Sequence, residues 1–342
     1  MDQLTRKPAV AEKTELVMSH RFAYVAVVVS ACASADVAPA PDATPVSTVP
    51  TILTGTYDVV GQLDLATLPA PAVELLAELS NATDTPDDPA RYLVDHMVAA
   101  LPDGIVKLIA SGLSGFVASY VELELDKIAP NFAPGIRALS LGLGSVGRHV
   151  TTIERLIIAS DGIMTRSLIG LQLANTPVEL AAGGAPDELS ITRAAVDGEG
   201  TVAIATHRLA LPYGEMLRLG LDRAVIPPID LGAGNLADTL RDLVDCHQLG
   251  VTVAAHAPIG SAGLYETACT IAMTKLASDV YAKLAAIDDA PFELNVSGTA
   301  LGLDRDGDGT MDELRSGVWA GTTSYGGAKG PIGAATFTGV KE

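Results

Sequence analysis

The chain has 342 residues, of which 48% are hydrophobic and 4% aromatic. This length and composition suffice for a large aliphatic core, whereas so few aromatic rings argue against a surface built for aromatic recognition. The 41 acidic and 22 basic residues give a net charge of −19, which repels phosphate backbones, so the composition predicts no nucleic-acid partner.

Residues 18–32 contain the parts of an export signal. Met18 to Arg21 is a short basic start, residues 22–31 are mostly apolar, and Val29-Ser30-Ala31 precedes Cys32. The segment resembles the lipobox of bacterial lipoprotein signal peptides. That resemblance implies that residues 1–31 are removed and that Cys32 becomes an acylated first residue. Two or more acyl chains would hold the protein stably to a membrane.

Two alternatives to the lipobox are a transmembrane anchor and a buried strand with a core cysteine. The apolar run of ten residues is half of the roughly 20 needed to cross a bilayer. Residues 1–17 carry three acids and no apolar run, so we hypothesise that translation begins at Met18. Ala33, and not Asp, follows the cysteine, which by resemblance to the enteric sorting rule implies a cell-envelope protein anchored in the outer membrane.

Residues 32–54 include prolines at positions 39, 41, 45 and 50 and lack periodicity, so they predict an extended tether. Residues 55–342 are predicted to form a single domain. In its first segment, residues 55–65, Tyr57, Val59 and Leu63 alternate with Asp58 and Gln62, which predicts a strand with one buried face.

Two helical segments are predicted, over residues 88–129 and 236–287. The first begins at Asp88, which precedes a proline, and continues in a helix with an apolar stripe of Ile105, Ile109, Leu113, Phe116, Tyr120 and Val121. The second is a hairpin of two helices, Leu236–Leu249, ended by Gly250, and Leu264–Ile287.

The remaining sequence has the character of strands. Five are predicted over Arg137–Leu143, Val150–Ala159, Ser167–Leu173, Glu188–Val196 and Thr201–Leu209, with a hairpin turn at 197–200 and three closing strands over Phe292–Leu303, Ser316–Tyr325 and Ala334–Val340. The order predicts an α+β fold: an antiparallel β-sheet, able to close into a barrel, packed with amphipathic helices. The first and last strands are expected to meet.

The two cysteines that follow Cys32 are Cys246 and Cys269, one on each helix of the predicted hairpin. In an oxidising compartment they predict a disulfide that staples the hairpin. The alternative is a metal or redox site that also uses His247 and His256, although adjacent side chains on a helix point about 100° apart.

Residues 304–313 read Asp-Arg-Asp-Gly-Asp-Gly-Thr-Met-Asp-Glu, which matches the DxDxDG core of calcium loops. The predicted ligands are the side chains of Asp304, Asp306 and Asp308, the carbonyl of Thr310, and Asp312 directly or through water. An EF-hand would have Glu at position twelve, where this chain has Arg315. The loop instead resembles those of extracellular bacterial proteins and thrombospondin-type repeats, which implies structural Ca²⁺ with Glu313 or a distant carboxylate completing the shell. The alternative is a solvated turn without an ion.

Catalytic motifs are scarce in the sequence. Gly142-Leu-Gly144-Ser-Val-Gly147 fits GxGxxG, but strand-like sequence follows it, and neither GxSxG nor HExxH occurs. The chain as a whole resembles bacterial lipoproteins of GC-rich Gram-negative bacteria. Three functions remain open: a non-catalytic cell-envelope lipoprotein that binds an apolar ligand or lipid, a calcium-stabilised surface module that contacts other envelope components, and an extracytoplasmic hydrolase.

Overall fold

A computed structural model describes residues 50–84, 88–173, 176–180, 190–230 and 232–342. The predicted signal peptide, the Cys32 lipidation site and most of the tether lie outside the described residues. Within the described part, no helix is both long enough and apolar enough to span a membrane.

The described residues form nine strands, each antiparallel to its neighbours. Eight of them close into a barrel in the order β1-β9-β8-β7-β6-β5-β3-β2, and β4 pairs with β3 alongside it. This confirms the predicted α+β class and the barrel, and β1 and β9 meet as expected. The strands are β1 (Gly55–Leu65), β2 (His149–Ile158), β3 (Ile163–Leu173), β4 (Thr176–Glu179), β5 (Ser190–Val196), β6 (Thr201–Leu211), β7 (Phe292–Leu303), β8 (Glu313–Tyr325) and β9 (Ala328–Lys341).

Every second side chain of a strand points into the barrel, and these side chains fill its interior. On β1, Tyr57, Val59 and Leu63 are buried while Asp58 and Gln62 face outward, as their period of two predicts. An eight-stranded barrel is just wide enough for side chains to fill its interior. The centre of this barrel is therefore a packed core.

Helices cover one end of the barrel. The first group follows β1 and returns to β2, and the second follows β6 and returns to β7. Asp64 at the end of β1 pairs with His149 at the start of β2, and Leu211 pairs with Phe292, so each group returns to the barrel end that it left. Strands β1 and β6 run in the same direction, because four successive antiparallel pairings separate them, so both groups lie at the same end. They are α1 (Ala70–Asn81), α2 (Asp88–Ala100), α3 (Ile105–Leu123), α4 (Leu125–Ile128), α5 (Phe132–Arg148), α6 (Tyr213–Gly220), a π-helical turn (Leu221–Val225), α7 (Ile226–Ile229), α8 (Leu236–Asp242), α9 (Cys246–His256) and α10 (Ala262–Ile287).

The strand predicted over Arg137–Leu143 is wrong, because these residues belong to α5. Its glycines, which supply the GxGxxG match, bring helices close together. A Cβ at Gly142 would lie 2.7 Å from a methyl of Val225, and one at Gly147 would lie 2.7 Å from the hydroxyl of Tyr213. The glycines of this motif therefore serve the packing of helix α5 on its neighbours.

The helix predicted over Leu236–Leu249 is two helices. The chain breaks after α8, and the carboxylate of Asp245 starts α9 by accepting a 2.9 Å hydrogen bond from the amide of Gln248. Gly250 does not end a helix but lies within α9, where an added Cβ would approach the carbonyl oxygen of Ala262 to 2.6 Å. Here glycine permits close packing of α9 on α10.

The disulfide between Cys246 on α9 and Cys269 on α10 is confirmed, with Cα atoms 5.5 Å apart. The pairing leaves no thiolate for the alternative metal or redox site. The helix predicted over the apolar stripe is also present as α3, but it packs on α2 and α9 and not against the sheet. Phe116, expected on its buried face, is 54% exposed.

Candidate metal centre

The acidic loop closes the barrel end that is opposite the helices. It joins the end of β7 to the start of β8, and its Met311 is completely buried against Gly302, where an added Cβ would collide with the methionine side chain. Gly307 and Gly309 adopt φ values of 80° and 86°, a left-handed conformation that favours glycine. Local backbone chemistry therefore shapes the loop, while Met311 holds it against the barrel.

Three of the predicted ligands come together. Carboxylate oxygens of Asp304, Asp306 and Asp312 all lie within 4.8 Å of one another, so these side chains could hold one metal ion. Asp304 is only 5% exposed, and its two oxygens accept hydrogen bonds from the amides of Gly307 and Gly309 at 2.7 and 2.8 Å. This carboxylate is positioned before any ion binds.

The other predicted ligands lie elsewhere in the loop. Asp308 is outside the three-carboxylate cluster and accepts a 2.6 Å hydrogen bond from the amide of Thr310. The carboxylate of Glu313 is bound by Arg305 and Arg315, and hydrogen bonds from these guanidinium groups lower its pKa. A cation at the cluster would have to compete with two arginines for this side chain.

The loop also forms hydrogen bonds with Thr51 and Ile52, where the chain enters the domain. The amides of Thr51 and Ile52 each donate a 3.1 Å hydrogen bond to the carbonyl of Gly309, and the amide of Met311 donates one of 2.9 Å to the carbonyl of Ile52. The hydroxyl of Tyr57 is 2.9 Å from the carbonyl oxygen of Met311; burial, and then Asp312, raise the pKa of this tyrosine to about 12. The last residues of the predicted tether are thus bonded to the acidic loop.

A second polar cluster, which sequence reasoning missed, lies inside the barrel. Arg166 and Glu154 form a fully buried bidentate ion pair, with nitrogen–oxygen distances of 2.6 and 2.9 Å. Thr152 donates a 2.6 Å hydrogen bond to the same carboxylate, and a third nitrogen of Arg166 is 2.9 Å from Nε2 of His207. All the charge in this cluster is paired, which is how a buried ion pair is tolerated.

Trp319 covers this cluster. The Arg166 guanidinium carbon lies 4.0 Å from the indole centroid of Trp319, a cation–π contact. The ring of Phe337 stacks on the same indole, with the ring centroids 4.2 Å apart. Gly298 provides the space, because a Cβ there would come within 2.4 Å of the indole. The sequence indicates this cluster only through the alternation of each strand, which places Glu154 and Arg166 at positions that face the barrel interior.

Comparison of this chain with protein-family models, with curated proteins and with solved structures finds no match in any of the three.

Proposed function

We propose that this chain is a lipid-anchored, non-catalytic module of the bacterial cell envelope, stabilised by calcium, whose work is contact with other envelope components. The anchor is the acylated Cys32, and the outer membrane is its proposed location. The observation that carries the proposal is the set of backbone hydrogen bonds joining Thr51 and Ile52 to the loop of Asp304, Asp306 and Asp312.

Calcium is the proposed ion because of its size and ligand preference. Ca²⁺ binds oxygen ligands at about 2.3–2.6 Å, so ligands on opposite sides of one ion lie roughly 4.6–5.2 Å apart. The three carboxylate groups offer oxygens no farther apart than 4.8 Å. A bound cation would also relieve the repulsion between Asp304, Asp306 and Asp312, which crowd together near Asp308.

The packed barrel favours a contact module over a carrier of apolar ligands. The barrel's centre is filled by Trp319, Phe337 and the side chains around the Glu154–Arg166 pair. A groove of about 350 Å³ lies on the outer face of β1, β8 and β9. The same burial supports a non-catalytic role, since the most chemically suggestive cluster is closed to substrates.

The proposal predicts that calcium stabilises the domain and its junction with the tether. Chelator-treated protein titrated with Ca²⁺ should melt at higher temperature, and a concentration 100 times Kd corresponds to about 2.7 kcal/mol. Hydrogen exchange at the amides of Thr51 and Ile52 should slow in the same titration. An unchanged melting temperature would end the calcium proposal.

Matched variants separate ion binding from loop structure. Asp306→Asn keeps an oxygen able to accept the amide hydrogen bond of Asp308, 3.1 Å away, but loses the charge, so it should remove the calcium response. Asp197→Asn is the control, because Asp197 accepts similar amide hydrogen bonds in the neighbouring hairpin without belonging to the cluster. Its calcium response should equal that of the unaltered chain.

The anchor is tested separately, in a bacterial host that lipidates exported proteins. The full chain should fractionate with membranes and yield an acylated peptide beginning at Cys32, whereas Cys32→Ala should leave it unacylated. An N-terminal peptide from residues 1–17 in the mature protein would contradict both the cleavage and the start at Met18.

A further inference from the structure

The groove on the outer face of β1, β9 and β8, called here the outer groove, is lined by uncharged residues. Its volume of about 350 Å³ lies within the range of about 300–1,000 Å³ that ligand sites occupy. None of the described residues that line it is acidic or basic, although 18% of the chain is charged. The side chains that matter for binding are those of Val60, Gln62, Ser316, Val318, Thr336 and Thr338.

The polar side chains of the outer groove have no partners within the described part of the protein. Gln62, Ser316, Thr336 and Thr338 are all exposed, and none of these side chains forms a hydrogen bond with another described residue. Hydroxyl and amide groups both donate and accept hydrogen bonds. Three adjacent strands therefore present donors and acceptors that only water or a ligand can use.

A β-bulge in β8 turns Ser316 into the outer groove. Between Leu314 and Gly317, β8 has one residue more than the segment of β9 with which it pairs. As a result, Arg315 and Ser316 are consecutive and both exposed, which interrupts the alternation of the strand. Bulges are frequent beside functional sites because they redirect a side chain in this way.

The backbone of the bulge is strained at Ser316. Its φ is 50°, and within the described chain it is the only residue other than glycine with a positive φ. Close packing holds the bulge in place, since a Cβ added at Gly317 would lie 2.6 Å from the ring of Phe337. A glycine at position 316 would satisfy the same packing without strain. The serine hydroxyl bonds to no described residue, so a contact outside the chain explains it better than the fold does.

The lining of the outer groove favours an uncharged ligand that is rich in hydroxyl groups. An ion would find no opposite charge there, and the net charge of −19 repels anions in particular. A wholly apolar ligand would remove four polar side chains from water without giving them partners, which is unfavourable. The hydroxyl groups of a saccharide can pair with all four, while its C–H faces pack on Val60 and Val318, which are 40% and 47% exposed.

The closure of the barrel argues against a peptide ligand. Extended peptides commonly bind by adding a strand to the free edge of a sheet. Strands β1, β8 and β9 have no free edge, because each is paired with a neighbour on both sides. A ligand of this face must therefore bind through the side chains that line the groove.

We propose that the outer groove is a binding site for a neutral polysaccharide, held by hydrogen bonds to Gln62, Ser316, Thr336 and Thr338. The site rests on the proposed function, contact with other envelope components, and names the chemical class of one such component. Because the groove lies on the outer face of the barrel, a long saccharide chain can cross it without threading into the protein.

Amide NMR spectra of the full chain carrying Cys32→Ala and saturated with calcium test the proposal. The protein is titrated with three neutral hexasaccharides, maltohexaose, cellohexaose and N-acetylchitohexaose, each to its limit of solubility, and with acidic oligogalacturonate. The expected result is that a neutral hexasaccharide shifts the amide signals of Ser316 and Thr338, whereas oligogalacturonate does not.

Matched variants separate binding from folding. Thr338→Val removes a hydroxyl at nearly constant size and should weaken binding by roughly three- to tenfold, the value of one hydrogen bond. Ser316→Gly should also weaken binding but should raise the melting temperature, because it removes the hydroxyl and the backbone strain together. Thr322→Val is the control, since Thr322 is an exposed residue of the same strand outside the groove, and its binding should equal that of the unaltered chain.

Three results would overturn the proposal. They are the absence of shifts with every neutral hexasaccharide, affinities that Thr338→Val and Ser316→Gly both leave unchanged, and shifts at the groove when the protein alone is concentrated, which would show a second copy there. The calcium response of the melting temperature is measured on the same samples. Failure of saccharide binding with that response intact therefore overturns this inference and leaves the calcium-stabilised module standing.

Discussion

Nε2 of His207 accepts a 2.9 Å hydrogen bond from a guanidinium nitrogen of Arg166 in the centre of the barrel. Because arginine can only donate, this ring nitrogen carries no proton, and Nδ1 donates to the carbonyl of Ala205 at 2.9 Å. His207 is therefore neutral in the folded protein. Burial lowers its pKa, and the charge of Arg166 lowers it further, against the opposing effects of Ala205 and Glu154.

The first prediction is that stability falls as the pH drops below the unfolded-state histidine pKa of about 6.5. Below that pH the unfolded chain binds a proton at this histidine that the folded chain does not bind. The stabilisation is therefore complete above the unfolded-state pKa, and it decreases as the pH falls toward the lowered pKa of His207 in the folded protein. This group contributes a slope of at most about 1.4 kcal/mol per pH unit. Urea denaturation between pH 5.5 and 7.5 measures it, and His207→Gln should flatten the curve.

His247 provides a control of opposite sign. It is exposed, and its hydrogen bond to Glu266 raises its pKa, so its stabilisation is present at low pH and is lost as the pH rises through the folded value. Removing it with His247→Gln should steepen the fall in stability toward acid. Equal effects of the two histidine variants would contradict the assignment.

The second prediction concerns the buried ion pair of Glu154 and Arg166. Removing one partner leaves a buried charge unpaired, so Glu154→Leu and Arg166→Met should each reduce the free energy of unfolding by about 3–5 kcal/mol. The double variant Glu154→Leu with Arg166→Met should lose less than the sum, because no isolated charge remains. A double-mutant cycle measured by urea denaturation gives the coupling; additive losses would argue against a coupled pair.

The third prediction concerns the disulfide of Cys246 and Cys269, which are 23 positions apart. In the chain-entropy model, closing a loop of this length stabilises the protein by about 3–4 kcal/mol. The double variant Cys246→Ala with Cys269→Ala should lose about that amount under non-reducing conditions. Under a strong reductant the difference from the unaltered chain should nearly vanish, and a difference that persists would locate the loss in side-chain packing.

The fourth prediction uses two helical glycines of the same hairpin. Gly250→Ala would push a methyl group against the backbone of α10 near Ala262 and Glu266, so it should cost about 1–3 kcal/mol despite the better helix propensity of alanine. Gly263→Ala is the matched control, because nothing lies within 4 Å of a Cβ there. Thermal melts of the two variants should differ clearly, and equal melting temperatures would be inconsistent with a close α9–α10 contact.

Sequence patterns predicted those elements whose periodicity is local. The predicted strand Phe292–Leu303 has the observed bounds of β7, and the alternation of Tyr57 and Val59 with Asp58 correctly assigned the two faces of β1. Helix α5 was missed because its glycines and apolar residues also suit a strand. Those glycines are explained by Val225 and Tyr213, which come from a distant part of the chain.

By itself, the sequence determined the α+β class, the partners of the disulfide and the set of acids in the loop, because each depends on local pattern or on residue chemistry. Only the tertiary structure decided that the sheet closes, that Asp304, Asp306 and Asp312 converge while Glu313 binds arginines, and that Glu154 and Arg166 pair beneath Trp319. Alternation tells which way a side chain points. What it meets there depends on strand order and on the register between strands, which no local pattern contains.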